Sequence, residues 1–423
     1  MDILVIGSGG REHAIVHQLR RNPAVQTIWV LPGNAGIALD ATCVPIAATD
    51  LDGVVSFARG HPVELAIVTP DDPLCLGLVD RLSEAGVAAF GPTRAAARIE
   101  GSKSFAKELM RRHGIPTADY QVFDDADAAL AAVRAAPLPI VVKADGLALG
   151  KGVTVALSRE EAETAVRDAM IGGRFGASGA RVVIEQCLVG PEASLMLLTD
   201  GTTYKLMPSA MDHKRALEGD RGPNTGGMGA IAPHPLMTPA MTSRVEREIV
   251  VPTLAAMREA GCPFAGCLYI GLMLTADGPR VIEYNARFGD PETQAVLALL
   301  DSDLLAALQA VVQGRLAAVD WRFRDGAACC VVLASGGYPG DYRKGLPVTG
   351  WQDAPAEIDF AGVADRDGRI VTSGGRVLGV TATAEDLPGA IDRAYAAAAA
   401  IEFDGAHMRS DIGRAALAAA KGD

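Results

Sequence analysis

The stretch VIEYNARFGDPETQ, residues 281–294, carries a carboxylate, an amide, an arginine and a second carboxylate within otherwise apolar sequence. Residues two apart in a β-strand face the same side, so the spacing predicts a polar face with Glu283, Asn285 and Arg287. The opposite face would hold the apolar members Ile282, Tyr284 and Ala286. A Glu beside an Asn offers hard oxygen ligands to Mg²⁺, although a solvated edge strand would show the same letters. The rest of the chain has to separate these two interpretations.

The composition of the chain excludes several classes of function. The protein has 423 residues and a net charge of −12, which makes it a poor binder of nucleic acid or membrane surfaces. Its length predicts roughly three domains. No apolar run reaches the roughly 18 residues needed to span a bilayer, MDILVIGSGG does not resemble a secretory signal, and the seven cysteines are scattered. We therefore expect a cytoplasmic protein with reduced thiols and with neither nucleic-acid nor membrane partners.

Residues 1–102 alternate between short apolar runs and helical sequence. The runs are ILVIG, TIWVL, LAIVTP and AAFGP, and the loops include SGG, PGNAG and TPDDP. Buried strands that alternate with helices predict a parallel, doubly wound sheet. Ligands of such sheets bind at the carboxyl ends of the strands, where these loops lie. We expect this segment to be an N-terminal α/β substrate domain.

Three further segments make the predicted fold class α/β and α+β multidomain. Residues 103–191 are predicted to form a small α+β unit, in which two strands flank a glycine-rich turn before the helix REEAETAVRDAMIG and the strand RVVIE. Residues 192–325 form a larger mixed unit that contains the opening stretch. Residues 326–423 form a final domain, with strands ACCVVLAS and GRVLGVTA before an alanine-rich helix near 388–400.

The glycine loop GSGG at 7–10 does not fit the dinucleotide-binding fingerprint. That fingerprint needs glycine at its first, third and sixth positions, which here are Gly7, Gly9 and Glu12. The second predicted strand also ends in VLPG, without an acidic residue for a ribose. The loop can still bind an anion at a helix N-terminus beside Arg11, or it is simply a tight turn.

A second glycine-rich segment, GLALGKG at 146–152, is not a Walker A loop. Three residues rather than four separate its first glycines, and a strand follows it. It is better explained as a flap whose N–H groups and Lys151 close over phosphates, or as an ordinary hairpin. Four further polar residues complete the outline of a nucleotide site, although each one singly is more often structural: Lys103, Lys143, Glu185 and Glu192.

Taken together, the motifs of this chain resemble those of the ATP-grasp ligases and, more closely, of the glycinamide ribonucleotide synthetases. The motifs that carry the resemblance are GSGGREHA (7–14), PGNAG (32–36), FGPT (90–93), EGSK (100–103), KADGLALGKGV (143–153), DHKR (212–215), GPNTGGMGA (222–230), RFGDPETQ (287–294), GGYPGDY (336–342) and SGGRVLGVTA (373–382). RFGDPE and GPNTGGMGA are highly specific to that family, whereas the flap alone is not. The resemblance covers essentially the whole chain and implies an ATP-grasp fold between an N-terminal parallel-sheet domain and a small C-terminal domain.

The same resemblance implies that the chain joins glycine to 5-phosphoribosylamine at the expense of ATP, with Mg²⁺ or Mn²⁺; we expect a monomer. By matching position, it assigns ATP contacts to Lys103, Lys143, Gly146, Gly150, Lys151, Gly152, Glu185, Leu188, Glu192 and Met273. It assigns the metal to Glu283 and Asn285. A further carboxylate that many ATP-grasp enzymes place earlier in the chain falls near Gly271 here, so water and phosphate oxygens are expected to complete the site.

On the substrate side, the resemblance implicates Gly10, Arg11, Glu12, Asn34, Asp71, Asn224, Thr225, Gly226, Gly227 and Arg376. Arg376 is the candidate ligand of the 5-phosphate. Arg287 and Asp290 receive catalytic roles in holding glycine or the reacting amine. Two positions depart from the family's pattern: Asp71 stands where the family often has Glu, and Leu149 stands where the flap usually has Ala.

The chemistry expected of such a site begins with the carboxylate of glycine, whose oxygen is a poor leaving group. ATP would phosphorylate that carboxylate, and the amine would then displace phosphate, which requires mainly positioning and charge stabilisation. Three alternatives stay open, namely a different ATP-grasp carboxylate–amine ligase, a nicotinamide-dependent oxidoreductase built on GSGG, and a nucleotide-binding protein without catalysis. The loops GPNTGGMGA and RFGDPE argue against a different ligase. The incomplete fingerprint argues against an oxidoreductase, and the intact lysines with the expected metal pair argue against a protein without catalysis.

Overall fold

The computed structural model describes residues 1–148 and 152–421 of the chain. Gly150 and Lys151, two of the expected ATP contacts, lie outside the described residues, as does Leu149. Within the described part, no helix is long and apolar enough to cross a lipid bilayer. All seven cysteines are free thiols.

Five parallel strands form the N-terminal sheet, as the alternating pattern predicts. Its elements are β1 (Asp2–Gly7), α1 (Gly10–Arg20), β2 (Thr27–Pro32), β3 (Thr42–Cys43), α2 (Leu51–Gly60), β4 (Leu65–Val68), α3 (Asp71–Leu76), α4 (Leu78–Glu84), β5 (Ala89–Phe90) and α5 (Arg94–Gly101). The strand order β3-β2-β1-β4-β5 changes direction between β1 and β4. Such a switch point opens a crevice at the carboxyl ends of the two strands. The SGG loop after β1 and the TPDD loop after β4 border that crevice.

A small antiparallel sheet follows, with helices packed on it. Its elements are α6 (Lys103–Arg112), β6 (Tyr120–Phe123), α7 (Ala126–Ala135), β7 (Ile140–Ala144), β8 (Val153–Ala156), α8 (Arg159–Met170) and β9 (Val182–Gln186). The strand order is β6-β9-β7-β8. Helix α8 begins where the sequence predicts, because Ser158 and Glu161 form a reciprocal capping box at its N-terminus. Leu130, Val133 and Val166 bury the apolar faces of α7 and α8 against the sheet.

A second antiparallel sheet has the order β11-β10-β16-β17 and carries the opening stretch on its last strand. The elements of this part are β10 (Glu192–Asp200), β11 (Tyr204–Leu206), β12 (Met211–Asp212), β13 (Arg215–Leu217), β14 (Arg221–Asn224), β15 (Gly229–Ala232), α9 (Pro239–Val245), α10 (Val251–Glu259), β16 (Ala265–Thr275), β17 (Gly278–Asn285), α11 (Glu292–Ala298) and α12 (Leu304–Val312). Although β17 ends this sheet, helices α5 and α6 contact it. It is therefore a covered strand rather than a solvated edge.

A β-bulge interrupts the pairing of β17 with β16. Glu283 pairs with Gly271, but the next pair joins Val281 to Leu272, so Ile282 is left without a partner in β16. A bulge of this kind adds one residue to one strand and shifts the alternation of its side chains. The alternation of side-chain faces predicted from the sequence is therefore correct on only one side of Ile282.

The bulge corrects one prediction and preserves another. Val281 and Tyr284, three residues apart, both join the apolar core, whereas Ile282 is only half-buried. The expectation that Ile282 shares a face with Tyr284 is wrong. The expected polar set lies beyond the bulge, where half-buried residues alternate with buried ones: Glu283, Asn285 and Arg287.

The last sheet joins strands from both sides of the boundary expected at residues 325–326. The remaining elements are β18 (Ala327–Ala334), β19 (Glu357–Phe360), β20 (Val363–Arg366), β21 (Arg369–Thr372), β22 (Arg376–Ala384), α13 (Leu387–Ala398) and α14 (Arg414–Lys421). The strand order β12-β15-β18-β22-β19 takes its first two strands from the preceding part. Helix α13 packs on β18 and β22, as the alanine-rich pattern predicts. The strand that ends the GPNTGGMGA loop is thus an inner strand of the C-terminal sheet.

Candidate functional site

Lys143 connects the small sheet to the strand that carries the expected metal ligands. It lies in β7 and is 4% exposed. Its Nζ is 3.1 Å from Oε2 of Glu185 and donates a hydrogen bond of 3.0 Å to the carbonyl oxygen of Ile282. Ile282 is the bulged residue of β17, without a paired residue in β16. The expected ATP lysine is thereby held at the residue that precedes Glu283.

Lys107, a second lysine that the motifs do not reveal, shares the carboxylate of Glu185. Its Nζ lies 3.0 Å from Oε2 of Glu185 and donates to Oγ1 of Thr117 at 2.8 Å. Burial lowers the pKa of Lys107 to about 8, although Glu185 opposes that shift. Lys107 follows Lys103 by four residues and so lies on the same face of α6, which is the signal that was available in the sequence. The structure places the Glu185 side chain between two lysines; its role beside adenine stays a prediction.

Asp145 attaches the base of the flap to the start of α6. Its carboxylate accepts hydrogen bonds from the backbone N–H and the hydroxyl of Ser104, at 2.6 and 2.9 Å. Lys103 makes two bonds to the same base, from its N–H to the carbonyl of Asp145 and from its Nζ to the carbonyl of Gly146. Burial lowers the pKa of Lys103, and Glu283 opposes that effect. Lys103 and the flap base are therefore positioned together.

Two glycines of the flap have close neighbours. A Cβ at Gly146 would lie 2.4 Å from Oγ of Ser178, so a larger residue does not fit there. The carbonyl of Gly152 accepts a hydrogen bond of 2.8 Å from the N–H of Ala144, which joins the two arms of the hairpin. These contacts fix the described ends of the flap.

Glu283 and Asn285 lie half-buried on the same side of β17. Gly271, near which many ATP-grasp enzymes place a further metal carboxylate, pairs directly with Glu283. A Cβ at Gly271 would lie 3.1 Å from Cγ of Glu283, so a larger residue there would crowd the carboxylate. A carboxylate and an amide oxygen are hard ligands of the kind Mg²⁺ prefers, and Mg²⁺ usually keeps several waters. The donor set therefore fits the expected metal.

Arg287 is anchored rather than free. Its guanidinium donates to Oδ1 of Asn285 at 3.2 Å and to the carbonyl of Phe288 at 3.1 Å, and it lies 3.3 Å from Oε1 of Glu100. Glu100 also accepts a bond of 2.7 Å from the N–H of Ala286. Burial raises the pKa of Glu100 to about 7, although Arg287 opposes that shift. Glu100, whose partners lie far along the chain, fixes the end of β17 and orients Arg287 beside Asn285, an expected metal ligand.

Arg376 joins the two loops that are most specific in sequence. Its Nη1 donates to the carbonyl of Gly226 at 2.6 Å and to the carbonyl of Asp290 at 2.8 Å, while its Nη2 lies 3.2 Å from Oδ2 of Asp290. Burial opposes ionisation of Asp290, but Arg376 and Arg11 outweigh it and lower the pKa of that carboxyl. A Cβ at Gly9 would lie 3.2 Å from Oδ2 of Asp290, so the SGG loop reaches the same point.

The segment from Asn224, the last residue of β14, to Gly227 is tightly held. Thr225 bonds the carbonyl of Lys214 through both its N–H and its hydroxyl, each at 2.8 Å. Gly227 has φ +114°, and a Cβ there would lie 2.4 Å from Cδ of Pro291. Only glycine fits this position, because the backbone conformation and the space both exclude a side chain.

Three of the expected substrate residues lie at the start of α1, namely Gly10, Arg11 and Glu12. They contact one another or the segment 281–294. Glu12 accepts hydrogen bonds from the N–H of Gly9 at 2.5 Å and from Oγ1 of Thr69 at 2.7 Å. Arg11 lies 2.6 Å from Glu12 and donates to the carbonyl of Phe288 at 3.0 Å. A Cβ at Gly10 would meet Nε2 of Gln294 at 2.7 Å, as part of the close packing of this loop. The set thus shapes the loop that borders the crevice.

Asn34 uses all of its side-chain hydrogen-bonding capacity within the protein. Its Nδ2 donates to the carbonyls of Ser8 and Phe360, and its Oδ1 accepts from the N–H groups of Gly36 and Ile37. An asparagine has two donors and an acceptor with two lone pairs, so this set is complete. Asn34 therefore holds the SGG loop in place.

Asp71 lies at the other border of the crevice. It begins helix α3, is half-buried, and accepts a hydrogen bond of 3.1 Å from the N–H of Asp72. It helps to raise the pKa of Glu100, which places its negative charge near the Arg287 pair. Its expected contact with substrate stays a prediction.

Lys214 is a further charged residue of the site, within the motif DHKR. Its Nζ donates to Oε2 of Glu192 at 2.7 Å. Burial would lower the pKa of Lys214, but Glu192 and the other acidic groups around it raise that pKa well above its ordinary value. Glu192 pairs with Met273 across β10 and β16, while Leu188 is half-buried in the connection before β10. Glu192 and Met273, two of the residues expected around the nucleoside, are therefore neighbours, and Lys214 contacts Glu192.

His213, the neighbour of Lys214, makes the stability of this region dependent on pH. It is 4% exposed, donates from Nδ1 to the carbonyl of Gly229, and accepts at Nε2 from the N–H of Gly413. Burial and the nearby Arg409 lower the pKa of His213 to about 4. In the unfolded chain a histidine takes up its proton near pH 6.5. The contribution of His213 to stability is therefore complete above pH 6.5 and is lost as the pH falls towards 4.

We expect the free energy of unfolding to fall by about 3 kcal/mol over that range because of His213 alone. Urea denaturation at pH 7 and at pH 4.5 measures this change. The His213→Asn variant should show a smaller dependence on pH than the wild type. The matched variant His61→Asn, at an exposed histidine, should retain the wild-type dependence. An unchanged dependence in His213→Asn would contradict the assignment.

Comparison with protein families divides the chain into three consecutive matches. The models are described as phosphoribosylglycinamide synthetase N domain, matching residues 1–100, ATP-grasp (A) domain, matching residues 101–293, and C domain, matching residues 328–415. Together they account for most of the chain.

Individual relatives are similar over their full length. The chain is 49% identical over 424 residues to the phosphoribosylamine–glycine ligase of Vibrio vulnificus strain YJ016, with 99% of each covered. It matches a crystal structure of the phosphoribosylamine–glycine ligase of Thermotoga maritima with a TM-score of 0.86 and 35% identity, covering 97% of this chain and 100% of that one. A biotin carboxylase domain from Hydrogenobacter thermophilus, solved with MgADP, gives a TM-score of 0.74 at 16% identity, covering 96% and 91%. The last likeness concerns the fold alone.

Proposed function

The chain belongs to the phosphoribosylglycinamide synthetase family, and on that premise we propose how its residues share the work of the ligation. It is an ATP-grasp ligase with phosphoribosylamine–glycine ligase activity, which serves purine biosynthesis. The fold class and the function predicted from the motifs are thereby confirmed. One observation supports the proposed division of roles. The segment 282–290 contacts Lys143 at its start, Arg11 in its middle and Arg376 at its end.

The first step is the transfer of the terminal phosphoryl group of ATP to the carboxylate of glycine. An oxygen of glycine attacks the γ-phosphorus, the bond to the β-phosphate oxygen breaks, and ADP leaves. We assign the neutralisation of the phosphates to Lys143 and Lys103. A Mg²⁺ ion bound by Glu283 and Asn285 would supply further positive charge at the phosphates. We assign the adenosine to the region of Glu185, Leu188, Glu192 and Met273.

The second step joins the amine of phosphoribosylamine to the carbonyl carbon of glycyl phosphate. The amine nitrogen attacks, a proton leaves the nitrogen, and inorganic phosphate departs with the electrons of the broken C–O bond. Asp290 is held ionised by Arg376 and Arg11, which suits it to orient an N–H donor rather than to act as a strong base. Arg287 orients Asn285 and so has a positioning role.

The phosphoribosylamine is assigned to the crevice at the switch point of the N-terminal sheet. We propose that three loops line it, namely the SGG loop, the TPDD loop with Asp71 and the loop of residues 224–227, and we assign the phosphate to Arg376. Glu12 and Asn34 shape the SGG loop by their internal hydrogen bonds. A monomeric state, a cytoplasmic location and the preference for Mg²⁺ over Mn²⁺ stay predictions.

The function is tested by the release of ADP with ATP, Mg²⁺, glycine and phosphoribosylamine generated in place from ribose 5-phosphate and ammonia. Each component is omitted in turn. We expect ADP only in the complete mixture, together with a product of the mass of glycinamide ribonucleotide. ADP release with another acid or amine would show that the substrate pocket is misassigned. Binding of ATP without any turnover would contradict the proposed roles.

A further inference from the structure

A cluster of histidine and carboxylate groups lies where helix α1 meets strand β19, outside the reaction site. Nδ1 of His17 lies 3.3 Å from Oδ1 of Asp359 and 3.7 Å from Oε1 of Glu357. On the other edge of the ring, Nε2 of His17 lies 3.3 Å from Oδ2 of Asp40. Three carboxylates thus surround one imidazole, and none of these groups has a part in the ligation described above.

The three atoms on the β19 side of the cluster share an unusual property. Each is buried and has no hydrogen-bond partner among the described residues: Nδ1 of His17, Oε1 of Glu357 and Oδ1 of Asp359. Asp359 is 0% exposed. Buried polar atoms in native proteins are nearly always paired, so three unpaired atoms in one place require an explanation. They also lie within 4.8 Å of one another, which is the arrangement of ligands around a shared cation.

We propose that His17, Glu357 and Asp359 form a binding site for a divalent transition-metal cation, for which Zn²⁺ is the probe. One imidazole nitrogen and two carboxylate oxygens are common ligands of such ions. Tetrahedral ligands at the usual Zn–N and Zn–O lengths lie roughly 3.3–3.6 Å apart. The distances of 3.3 and 3.7 Å from Nδ1 of His17 match that spacing before any adjustment.

Asp40 and His13 fix the orientation of the His17 imidazole. With Nδ1 of His17 directed at the metal, its Nε2–H donates to Asp40, and a carboxylate in this position fixes the ring of a metal-binding histidine. Nδ1 of His13 accepts a hydrogen bond of 2.9 Å from the N–H of Phe360. The proton of His13 is therefore on Nε2, which lies 3.2 Å from Oδ2 of Asp40. His13 thus holds Asp40 and does not compete as a ligand.

The charges around the cluster favour a cation. Asp40, Glu357 and Asp359 place three carboxylates around the single imidazole of His17. Two arginines face the same carboxylates from outside, Arg21 at 3.3 Å from Glu357 and Arg20 at 3.6 Å from Asp40. The cluster borders an open cavity of about 440 Å³, which gives an ion a path of entry.

The position of the site gives it a structural role. Helix α1 belongs to the N-terminal sheet, whereas β19 is the edge strand of the C-terminal sheet. A cation that binds ligands from both would hold the two parts together, and it would stabilise the folded state by an amount that grows with the logarithm of the ratio of free cation concentration to Kd. Thermal unfolding therefore reports on this site independently of activity.

The test is a titration of the metal-stripped full chain with Zn²⁺, in excess Mg²⁺ so that Glu283 and Asn285 are not the site observed. We expect one Zn²⁺ per chain and a rise in Tm. His17→Gln and Glu357→Gln should each weaken binding by more than about 100-fold, and Asp40→Asn by about 10- to 100-fold. The variant His61→Asn, at an exposed histidine outside the cluster, should bind as the wild type does.

Circular dichroism and ATP binding establish that each variant is folded, and if His17→Gln is not, Glu357→Gln decides. Co²⁺ provides a second readout, because a tetrahedral site gives visible absorption bands that Glu357→Gln should abolish. Absence of stoichiometric Zn²⁺ binding by the wild type would overturn the proposal. Equal binding by wild type and by the folded Glu357→Gln variant would overturn it as well.

Discussion

Replacement of Lys143 by methionine is expected to lower kcat by about 100- to 1,000-fold, the usual effect of removing one preorganised charge from a reaction site. The amine of Lys143 is buried and is held between Glu185 and the carbonyl of Ile282, next to Glu283. Methionine fills similar space but has no charge to offer a phosphoryl group. Glu185 keeps its contact with Lys107, so the buried carboxylate is not left alone. The steady-state rate of ADP release measures the effect.

Lys107→Met is the matched control for this prediction. Lys107 contacts the same oxygen of Glu185, but its second bond goes to Thr117 rather than to β17, the strand of the proposed metal ligands. We expect this variant to lose stability while its kcat falls by less than about 10-fold. Equal losses of kcat in the two variants would mean that both lysines act through Glu185 and that Lys143 has no direct contact with phosphate.

Glu283→Gln is expected to lower kcat by about 1,000-fold at ordinary Mg²⁺ concentrations, with the fold and the binding of ATP retained. The substitution removes the negative charge that attracts the ion but preserves the shape of the side chain, and metal ions contribute several kcal/mol to reactions of this kind. ADP release measured over a range of Mg²⁺ concentrations should show partial recovery at high Mg²⁺.

Two comparisons sharpen the prediction for Glu283. Asn285→Asp adds a charge at the neighbouring ligand and should lower the Mg²⁺ concentration needed for half-maximal activity. Glu248→Gln, at a half-buried ion pair with Arg244, should leave activity unchanged. Retention of full activity by Glu283→Gln at ordinary Mg²⁺ would exclude Glu283 as a metal ligand.

Much of the fold could be predicted because its signals are local. The parallel sheet follows from apolar runs that alternate with helical segments, and α8 follows from its capping box. The bulge at Ile282 was not predictable, because it depends on how β17 pairs with a strand and not on its own letters. The two-residue strand β3 is too short to leave a pattern.

The residues of the candidate site likewise fall into a group that the sequence predicts and a group that it does not. Lys103, Lys143 and Arg376 lie in motifs and were expected, and the structure brings each of them to a loop or strand of the site. Glu100 and Lys107 were missed because their importance lies in partners that are distant in sequence, Arg287 and Glu185. A side chain whose role is to position another side chain has no recognisable motif in the local sequence.

The sheet that β12 and β15 share with β18, β22 and β19 limits how this chain can be divided or recombined. A fragment ending at residue 325 would leave β15 with an open edge and would uncover Met228 and Ile231, which are both 0% exposed in the whole chain. Such a fragment should aggregate rather than act as an independent ligase. Chimeras between relatives should fold only if the segment 211–232 and the residues after 326 come from the same parent. The loop of residues 224–227 can therefore be exchanged between relatives only together with the C-terminal residues.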